Sequence, residues 1–346
     1  MGLPTHPGAR LSSALSRTLL AALFASLSAG AAHAQDRTHV VLVTGLGGSA
    51  EFRQSFHDEA SQIYTALTEQ HGLPTEDVIY LGENPEVAPG MISEASTRAN
   101  ILRVLGEISQ RAGPRDKVLV ILIGHGTDGP NGAQFNLPGP DLGPTDFDLA
   151  MIAFPTQQLA LVHTGSASGG FVQPLAGPNR VIIAATRSAR ERNATEFGQF
   201  FAEAMAGGGS DLDHDNRVSL LEAFTYAKQE VERHYEEQNE MQSEHAVLED
   251  DGDGEGSPDA GPDGPDGLLA ATFTFGRGTG AEGPAIDDPV LAGLIAERDD
   301  IQRRIDELRV VRAALTEDEY LDRMEPLLVE LALKTREIEA AGGGGR

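Results

Sequence analysis

The chain has 346 residues, of which 40% are hydrophobic and 23% are charged, proportions typical of a globular protein rather than a disordered or fibrous one. Its formal net charge of -27 argues against nucleic acid as a partner, because binding to phosphates relies on an excess of lysine and arginine. The sequence contains no cysteine, which excludes disulfide bonds, thiolate metal sites and any mechanism that uses a cysteine nucleophile.

Residues 1–34 have the features of a secretory signal peptide. Arg10 and Arg17 make its first part basic, and a leucine- and alanine-rich run follows at 18–32. The tripeptide AHA at 32–34 has the small-x-small form of a signal-peptidase site. We therefore predict an exported protein, periplasmic or secreted, with no membrane association after cleavage. The apolar run is short for a membrane span, but an uncleaved anchor is the alternative.

From residue 38 onward, short aliphatic runs alternate with amphipathic stretches. Runs that are apolar on both faces are typical of buried parallel strands. Six such runs are predicted as strands, namely VVLVTG (40–45), DVIYLG (77–82), KVLVILIG (117–124), QLALVHT (158–164), RVIIAAT (180–186) and LLAATFTF (268–275). Three helices between them are indicated by apolar residues at helical spacing, with Phe56, Ile63 and Leu67, with Ile101, Val104, Leu105 and Ile108, and with Phe197, Phe200, Phe201 and Ala204. This alternation predicts an α/β fold, a mostly parallel six-stranded sheet with helices on both faces.

One long segment between the last two predicted strands is strongly acidic. Residues 249–267, which we call the acidic loop, hold eight acidic residues, six glycines and three prolines without lysine or arginine. This composition predicts a solvated loop rather than a core element. Asp and Gly alternate within 250–255, but no Glu follows at the distance of a bidentate calcium ligand, so the sequence does not favour a metal site there.

The pattern changes beyond residue 285, where apolar residues recur at heptad spacing in two segments. They are Leu291, Leu294, Ile301, Ile305, Leu308 and Leu315 in the first segment, and Tyr320, Met324, Leu327, Leu331 and Ile338 in the second. Thr316 and Glu319 have the form of a capping box, and Pro326 is expected to kink the second helix or shift its start. We predict a helical hairpin over 285–346, appended to a domain over 35–280. The hairpin either packs on that domain or forms a coiled-coil-like homo-oligomer.

Candidate functional residues follow two neighbouring predicted strands. His125, in ILIGHGTDG at 121–129, follows the third strand, and Ser166, in LALVHTGSASGG at 159–170, follows the fourth. Ligands and catalytic groups in open α/β sheets gather beyond the carboxyl ends of the strands. Arg53, after the first strand, is expected at the same edge. The sequence therefore predicts a histidine, a hydroxyl and a guanidinium close together.

This arrangement resembles the legumain and caspase-like clan of cysteine peptidases. The resemblance rests on an aliphatic strand that ends in His-Gly and on a second that ends in the small-residue turn SASGG. THVVLVTGLGG at 38–48 and RVIIAATRSARERNATEF at 180–197 are also similar to its bacterial, legumain-like members. The resemblance covers residues 38 to about 275 and implies a caspase-like three-layer sandwich.

Carried over to this sequence, the resemblance implies that His125 is the catalytic histidine and that Gly126 supplies a backbone N–H to the oxyanion hole. Ser166 stands where the clan has its catalytic cysteine. A thiol with a pKa of about 8.5 is partly ionised at neutral pH, whereas a serine hydroxyl needs a general base within about 2.6–3.2 Å and a group that orients that base. Asp128 and His163 are near His125 or Ser166 in the sequence and could supply that orienting group. We expect both to be polar loop residues instead.

Two functions follow from this pattern. The favoured hypothesis is a pseudopeptidase that binds a peptide or protein ligand, with Arg53 holding an acidic or amide side chain. The alternative is an active peptidase or hydrolase with a Ser166–His125 dyad. Other motifs are weaker, because TGLGGSA at 44–50 lacks the lysine of a P-loop and GSASG at 165–169 has alanine where an esterase elbow has its serine.

The segment DLDHDNRVSLLE at 211–222 matches the oxygen positions of an EF-hand calcium loop. The matching ligands are Asp211, Asp213, Asp215, the carbonyl of Arg217, Ser219 and Glu222. Asn216 replaces the usual glycine, which asparagine tolerates because it enters the left-handed region more readily than most residues. One helix is predicted to end near Ala206, before the loop, and a second helix is predicted to follow the loop and continue through Tyr235. We predict a structural calcium ion, and the alternative is an acidic helix-entry loop.

Overall fold

The computed structural model describes residue 2 and the ranges 37–207, 209–212, 217–262, 264–275, 289–312 and 315–342. Apart from Gly2, the predicted signal segment lies outside these residues, as do Asp213 and Asp215 of the predicted calcium loop. Within the described ranges, no helix is both long and apolar enough to cross a membrane.

The strands of the described residues form one large sheet and two small ones. In chain order they are β1 (Thr38–Thr44), β2 (Val78–Gly82), β3 (Ile92–Ala95), β4 (Lys117–Ile123), β5 (Gly126–Gly129), β6 (Gly132–Phe135), β7 (Gln158–His163), β8 (Arg180–Ala184), β9 (Val218–Ser219), β10 (Val247–Glu249) and β11 (Thr274–Phe275). The large sheet has the order β10-β8-β7-β4-β1-β2-β3. Its neighbours are all parallel except β10 and β8, which are antiparallel. The predicted mostly parallel sheet is confirmed.

The helices of the described residues include those that cover both faces of this sheet and the two of the C-terminal hairpin. They are α1 (Ala50–Thr65), α2 (Arg98–Arg111), α3 (Pro144–Met151), α4 (Val172–Leu175), α5 (Phe197–Met205), α6 (Leu220–Gln238), α7 (Leu268–Thr272), α8 (Pro289–Val310) and α9 (Glu317–Gly342). Successive side chains of a strand point to opposite faces, so Val40 and Leu42 of β1 join a core with α1, α5 and α6, while Val41 and Val43 join a core with α2, α3 and α4. The result is the expected α/β sandwich of three layers.

The start, buried face and end of α1 follow from its local sequence. Ser49 caps α1 by accepting a hydrogen bond from the N–H of Phe52 at 3.2 Å. Phe56 and Ile63 lie on its buried face. The helix continues as a π-helical turn over Ala66–Gln70, and the chain then reverses at Gly72 with φ of 70°, a left-handed conformation that glycine adopts without strain.

Three segments differ from the sequence prediction. The sheet has seven strands instead of six, because the edge strands β3 and β10 were not predicted. The stretch 268–275 is not a strand of the sheet but forms α7 and then β11, which pairs with β9. Its first turn is helical because the Asp250 carboxylate accepts hydrogen bonds from the N–H groups of Gly267 at 2.7 Å and Ala270 at 2.8 Å.

The acidic loop is also not simply a solvated segment. Glu249, Asp250 and Asp266 are buried, with 0%, 9% and 2% of their surface exposed. Asp266 accepts a hydrogen bond from the N–H of Asp250 at 2.9 Å, so the loop is folded around carboxylates. Composition predicted solvation correctly for Asp251 and Asp253, which are exposed, and wrongly for these three.

The predicted C-terminal helical hairpin is confirmed as α8 and α9. Its core consists of Ile301, Ile305, Leu308, Met324 and Leu327. Thr316 caps α9 as predicted, since its hydroxyl accepts from the N–H of Glu319 and the Glu319 carboxylate accepts from the N–H of Thr316. Pro326 lies inside α9, which begins at Glu317. Homo-oligomerisation through the hairpin stays a prediction.

Candidate functional site

The two candidate catalytic residues lie at one edge of the large sheet. β4 and β7 are parallel neighbours, with Leu122 opposite His163. His125 follows β4 and Ser166 follows β7, so both lie beyond adjacent carboxyl ends, where open α/β sheets form their sites. Gly126 begins β5, whose hairpin with β6 starts directly after His125.

The Ser166 hydroxyl forms two hydrogen bonds with the backbone of Gly126. It accepts a hydrogen bond from the Gly126 N–H at 3.2 Å and donates its own proton to the Gly126 carbonyl at 3.1 Å. Ser166 is 3% exposed, so water does not compete for these bonds. The N–H group that the resemblance assigns to an oxyanion hole thus binds the side chain at the nucleophile position.

The turn that carries Ser166 is packed too closely for any residue but glycine at two positions. A Cβ atom on Gly165 would lie 1.6 Å from the carbonyl oxygen of Gly124, and one on Gly169 would lie 2.3 Å from the backbone nitrogen of Ser188. Ala167, directly after Ser166, has φ of 56°, a left-handed conformation that costs a non-glycine residue about 1–2 kcal/mol. Strain of this kind is concentrated at functional sites.

His125 is held by a different set of contacts. Its ring lies edge-on to Phe52 and Phe56, with centroid distances of 4.4 and 5.0 Å. Burial lowers the pKa of His125, and a hydrogen bond to the Gly47 carbonyl raises it in part. Within the described range 37–207, which includes both residues, no hydrogen bond joins the His125 ring to the Ser166 hydroxyl.

Arg53 lines a cleft of about 230 Å³ beside this site. Tyr80 and Glu83 line the same cleft, and Glu83 lies 3.9 Å from the Arg53 guanidinium. The other Glu83 oxygen accepts a hydrogen bond from the Gly47 N–H at 3.0 Å. Gly47 therefore lies between the cleft and His125, because its N–H binds Glu83 and its backbone raises the pKa of the imidazole in part.

Neither sequence neighbour orients the His125 ring. Asp128 forms an ion pair with Arg192 at 3.2 Å. His163 is the last residue of β7 and is completely buried, with edge-to-face contacts to Phe135 and Phe171, so it is a core residue and not the polar loop residue that we expected. Burial lowers the pKa of His163 to about 3, which keeps the ring neutral.

Sequence reasoning missed the contacts that hold His125. Phe52 and Phe56 lie one helical turn apart on α1, a spacing that signals a shared face but not its partner. Gly47 acts through its backbone, and Glu83 follows β2 without any motif around it. Only the path of the chain brings these residues to the edge where β4 ends.

The described part of the predicted calcium loop is closed by Glu222. Its Oε1 accepts from the N–H of Leu212 at 2.9 Å, and its Oε2 accepts from the N–H and hydroxyl of Ser219 at 2.7 and 2.8 Å. A carboxylate oxygen has about two acceptor positions, so the two bonds from Ser219 saturate Oε2. Bidentate ligation would require the Ser219 hydroxyl to turn away. Asp211 begins the loop, and Ser219 is also the N-cap of α6.

Comparisons with known proteins identify no family. No family model and no curated protein sequence matches the chain. Among solved structures, the chain is similar to the caspase drICE, with 11% sequence identity and a TM-score of 0.38 over 64% of this chain and 90% of that one. At this TM-score the similarity establishes neither a family nor an activity.

Proposed function

We propose that the chain is a caspase- or legumain-like pseudopeptidase, a protein that keeps the site and the cleft of a peptidase and uses them for binding. The observation that carries this proposal is the pair of hydrogen bonds between the Ser166 hydroxyl and the Gly126 backbone. The α/β sandwich with His125 and Ser166 beyond adjacent strands is compatible with a peptidase ancestor.

A serine nucleophile must pass its proton to a general base as it attacks. In this site the Ser166 hydroxyl donates its hydrogen bond to the Gly126 carbonyl, which is too weak a base to accept the proton during catalysis. Catalytic hydrogen bonds are often long before substrate binds, so distance from His125 alone would not argue against activity. The donation of the Ser166 proton to the Gly126 carbonyl instead of to a base is the stronger argument, and it disfavours the Ser166–His125 hydrolase.

The ligand that the cleft favours is a peptide segment with an acidic or amide side chain. The Arg53 side chain is 47% exposed, and its 3.9 Å separation from Glu83 exceeds a hydrogen bond. A planar guanidinium in this position would bind a carboxylate or carboxamide through two N–H groups. An incoming acidic group would therefore bind Arg53 in addition to, or in place of, the Glu83 Oε1 that faces it.

Replacing Ser166 with cysteine tests whether only the nucleophile has been lost. We expect no peptide hydrolysis by the wild-type chain and measurable hydrolysis by Ser166→Cys, because a thiolate attacks without a general base. Adding His125→Ala should remove that activity, since the leaving amine still needs a proton. The control is Ser168→Cys, two positions away, whose hydroxyl bonds Thr186 at 3.0 Å and which should stay inactive. Hydrolysis by the wild-type chain would contradict the proposal.

We further propose export and a structural calcium ion at 211–222, with Asp211 and Glu222 as ligands at the two ends of the loop. The hydrogen bond from Leu212 to Glu222 supports this, because it brings the first and last positions of the loop together. Calorimetric titration of the purified chain should show a calcium site that is lost in the double variant Asp211→Asn and Glu222→Gln. Unchanged binding in that variant would remove the ion from this segment.

A further inference from the structure

The acidic loop contains a buried carboxylate oxygen that has no partner among the described residues. Glu249 is 0% exposed, and its Oε2 is shielded from solvent and forms no hydrogen bond within the described ranges. A buried charge is stable only when it is paired, hydrogen-bonded or bound to a metal ion. The other oxygen, Oε1, accepts from the N–H groups of Gly252 at 2.7 Å and Gly254 at 3.3 Å, so the carboxyl group points into the loop that follows it.

Two further carboxylates converge on Glu249. One oxygen from each of Glu249, Asp251 and Asp253 lies within 4.8 Å of the others. Calcium binds oxygen at about 2.3–2.6 Å, so two of its ligands are at most about twice that distance apart. The spacing of the three oxygens is therefore compatible with ligation of one ion.

Within the described part of the chain, the negative charge of this cluster is not balanced by an ion pair with a cation. Among the residues that the structure describes, no lysine or arginine forms an ion pair with Glu249, Asp251 or Asp253. Asp250 and Asp266 add two more buried carboxylates next to it, and their oxygens bind backbone N–H groups. Negative charge is thus concentrated around the unpartnered oxygen of Glu249.

We propose that Glu249, Asp251 and Asp253 bind a calcium ion, at a site separate from the segment 211–222. The sequence did not favour a site here because no Glu follows the Asp-Gly repeat at the distance of a bidentate calcium ligand. The buried Glu precedes that repeat instead, and the chain reverses at Gly252 and Gly254, both in the left-handed conformation, to bring the aspartates back to it.

The donor set selects calcium over other ions. Carboxylate oxygens suit hard divalent cations, and the described cluster offers neither the imidazole nor the thiolate that zinc prefers. Magnesium requires near-ideal octahedral geometry, whereas calcium accepts the irregular set of a short loop and completes its shell with carbonyls and water.

The position of the loop gives the ion a structural role. A Cβ atom on Gly254 would lie 3.2 Å from the Gln173 side chain, and one on Gly252 would lie 3.5 Å from the Gly177 backbone. Gln173 belongs to α4, the helix that follows the Ser166 turn. Calcium at Glu249 would therefore hold the loop against the segment that supports the candidate site.

Calcium titration of one background variant tests this site by itself. The full chain, treated with EDTA, carries Asp211→Asn and Glu222→Gln, so that the segment 211–222 does not contribute. We expect calorimetry to show one remaining calcium site and calcium to raise the melting temperature. Adding Glu249→Gln should weaken binding at least 10-fold and abolish the melting shift, while its amide oxygen can still accept from Gly252 and Gly254.

Two more variants keep the test sharp. Asp251→Asn with Asp253→Asn should cause the same loss at exposed positions, which separates lost ligation from any folding defect of Glu249→Gln. Asp259→Asn is the matched control, because it lies in the same loop with 86% of its side chain exposed and pairs with Lys228. The proposal is overturned if the background variant binds no calcium, or if the Glu249 and Asp251/Asp253 variants bind it as tightly as the Asp259 control.

Discussion

Replacing Gly165 with alanine is expected to lower the free energy of unfolding by about 3 kcal/mol or more. The added Cβ would lie 1.6 Å from the carbonyl oxygen of Gly124, a backbone atom directly after β4 that has little room to withdraw. Overpacking costs most where the neighbour is backbone rather than a flexible side chain. The measurement is urea unfolding at neutral pH.

The control for this variant is Gly106→Ala. Gly106 lies inside α2, and an added Cβ there would meet no described atom within 4 Å beyond the backbone of its own helix. Alanine should therefore stabilise the protein by about 0.5–1 kcal/mol through helix propensity alone. Equal stabilities of Gly165→Ala and the wild type would show that the turn before Ser166 is looser than the structure has it.

The second large effect is acid destabilisation through His163. Burial lowers its pKa from 6.5 to about 3 in the folded chain. Below pH 6.5 the unfolded chain therefore binds a proton that the folded chain refuses, and stability falls as the pH falls. The slope is about 1.4 kcal/mol per pH unit, or roughly 3 kcal/mol between pH 6.5 and pH 4.

Several buried acids have the opposite effect in the same range. Burial raises the pKa of Glu59 and Glu244 to about 7 and that of Asp266 to about 6. Their folded forms keep protons that the unfolded chain loses, so they add stability as the pH falls. The wild-type profile alone therefore does not reveal the contribution of His163.

Comparison with His163→Asn isolates that contribution. The asparagine oxygen replaces Nδ1 as acceptor of the Gly165 N–H, a bond of 3.2 Å in the wild type, but it does not titrate. The variant loses stability at neutral pH through the missing ring, yet the stability difference between the two chains should shrink by roughly 3 kcal/mol from pH 6.5 to pH 4. A constant difference across that range would mean that His163 titrates normally.

The central strands could be predicted from the sequence because burial on both faces leaves a continuous aliphatic run. β1, β4, β7 and β8 all coincide closely with predicted strands. β3 was missed because two of its four residues are exposed, and β10 because it has three residues and ends in Glu249. Residues 268–275 have strand-like composition, but their fold depends on a cap from Asp250 that no local pattern records.

The site could be predicted only as far as its placement. Strand ends brought His125 and Ser166 to one edge of the sheet, since parallel neighbours share a direction. The direction of the Ser166 hydrogen bonds depends on how β5 leaves the sheet, and the His125 contacts depend on α1 and Gly47. These are long-range packing outcomes, which residue type and spacing do not encode.

The rate of peptide and ester hydrolysis by the wild type relative to Ser166→Ala is the most direct measure of whether Ser166 acts as a nucleophile. Because the Ser166 hydroxyl is hydrogen-bonded to the Gly126 backbone, we predict that the ratio of the two rates is one for every substrate and that both rates equal the buffer background. A ratio on the order of 10³ or more for any substrate, lost equally in His125→Ala, would contradict the account and establish a working Ser166–His125 dyad.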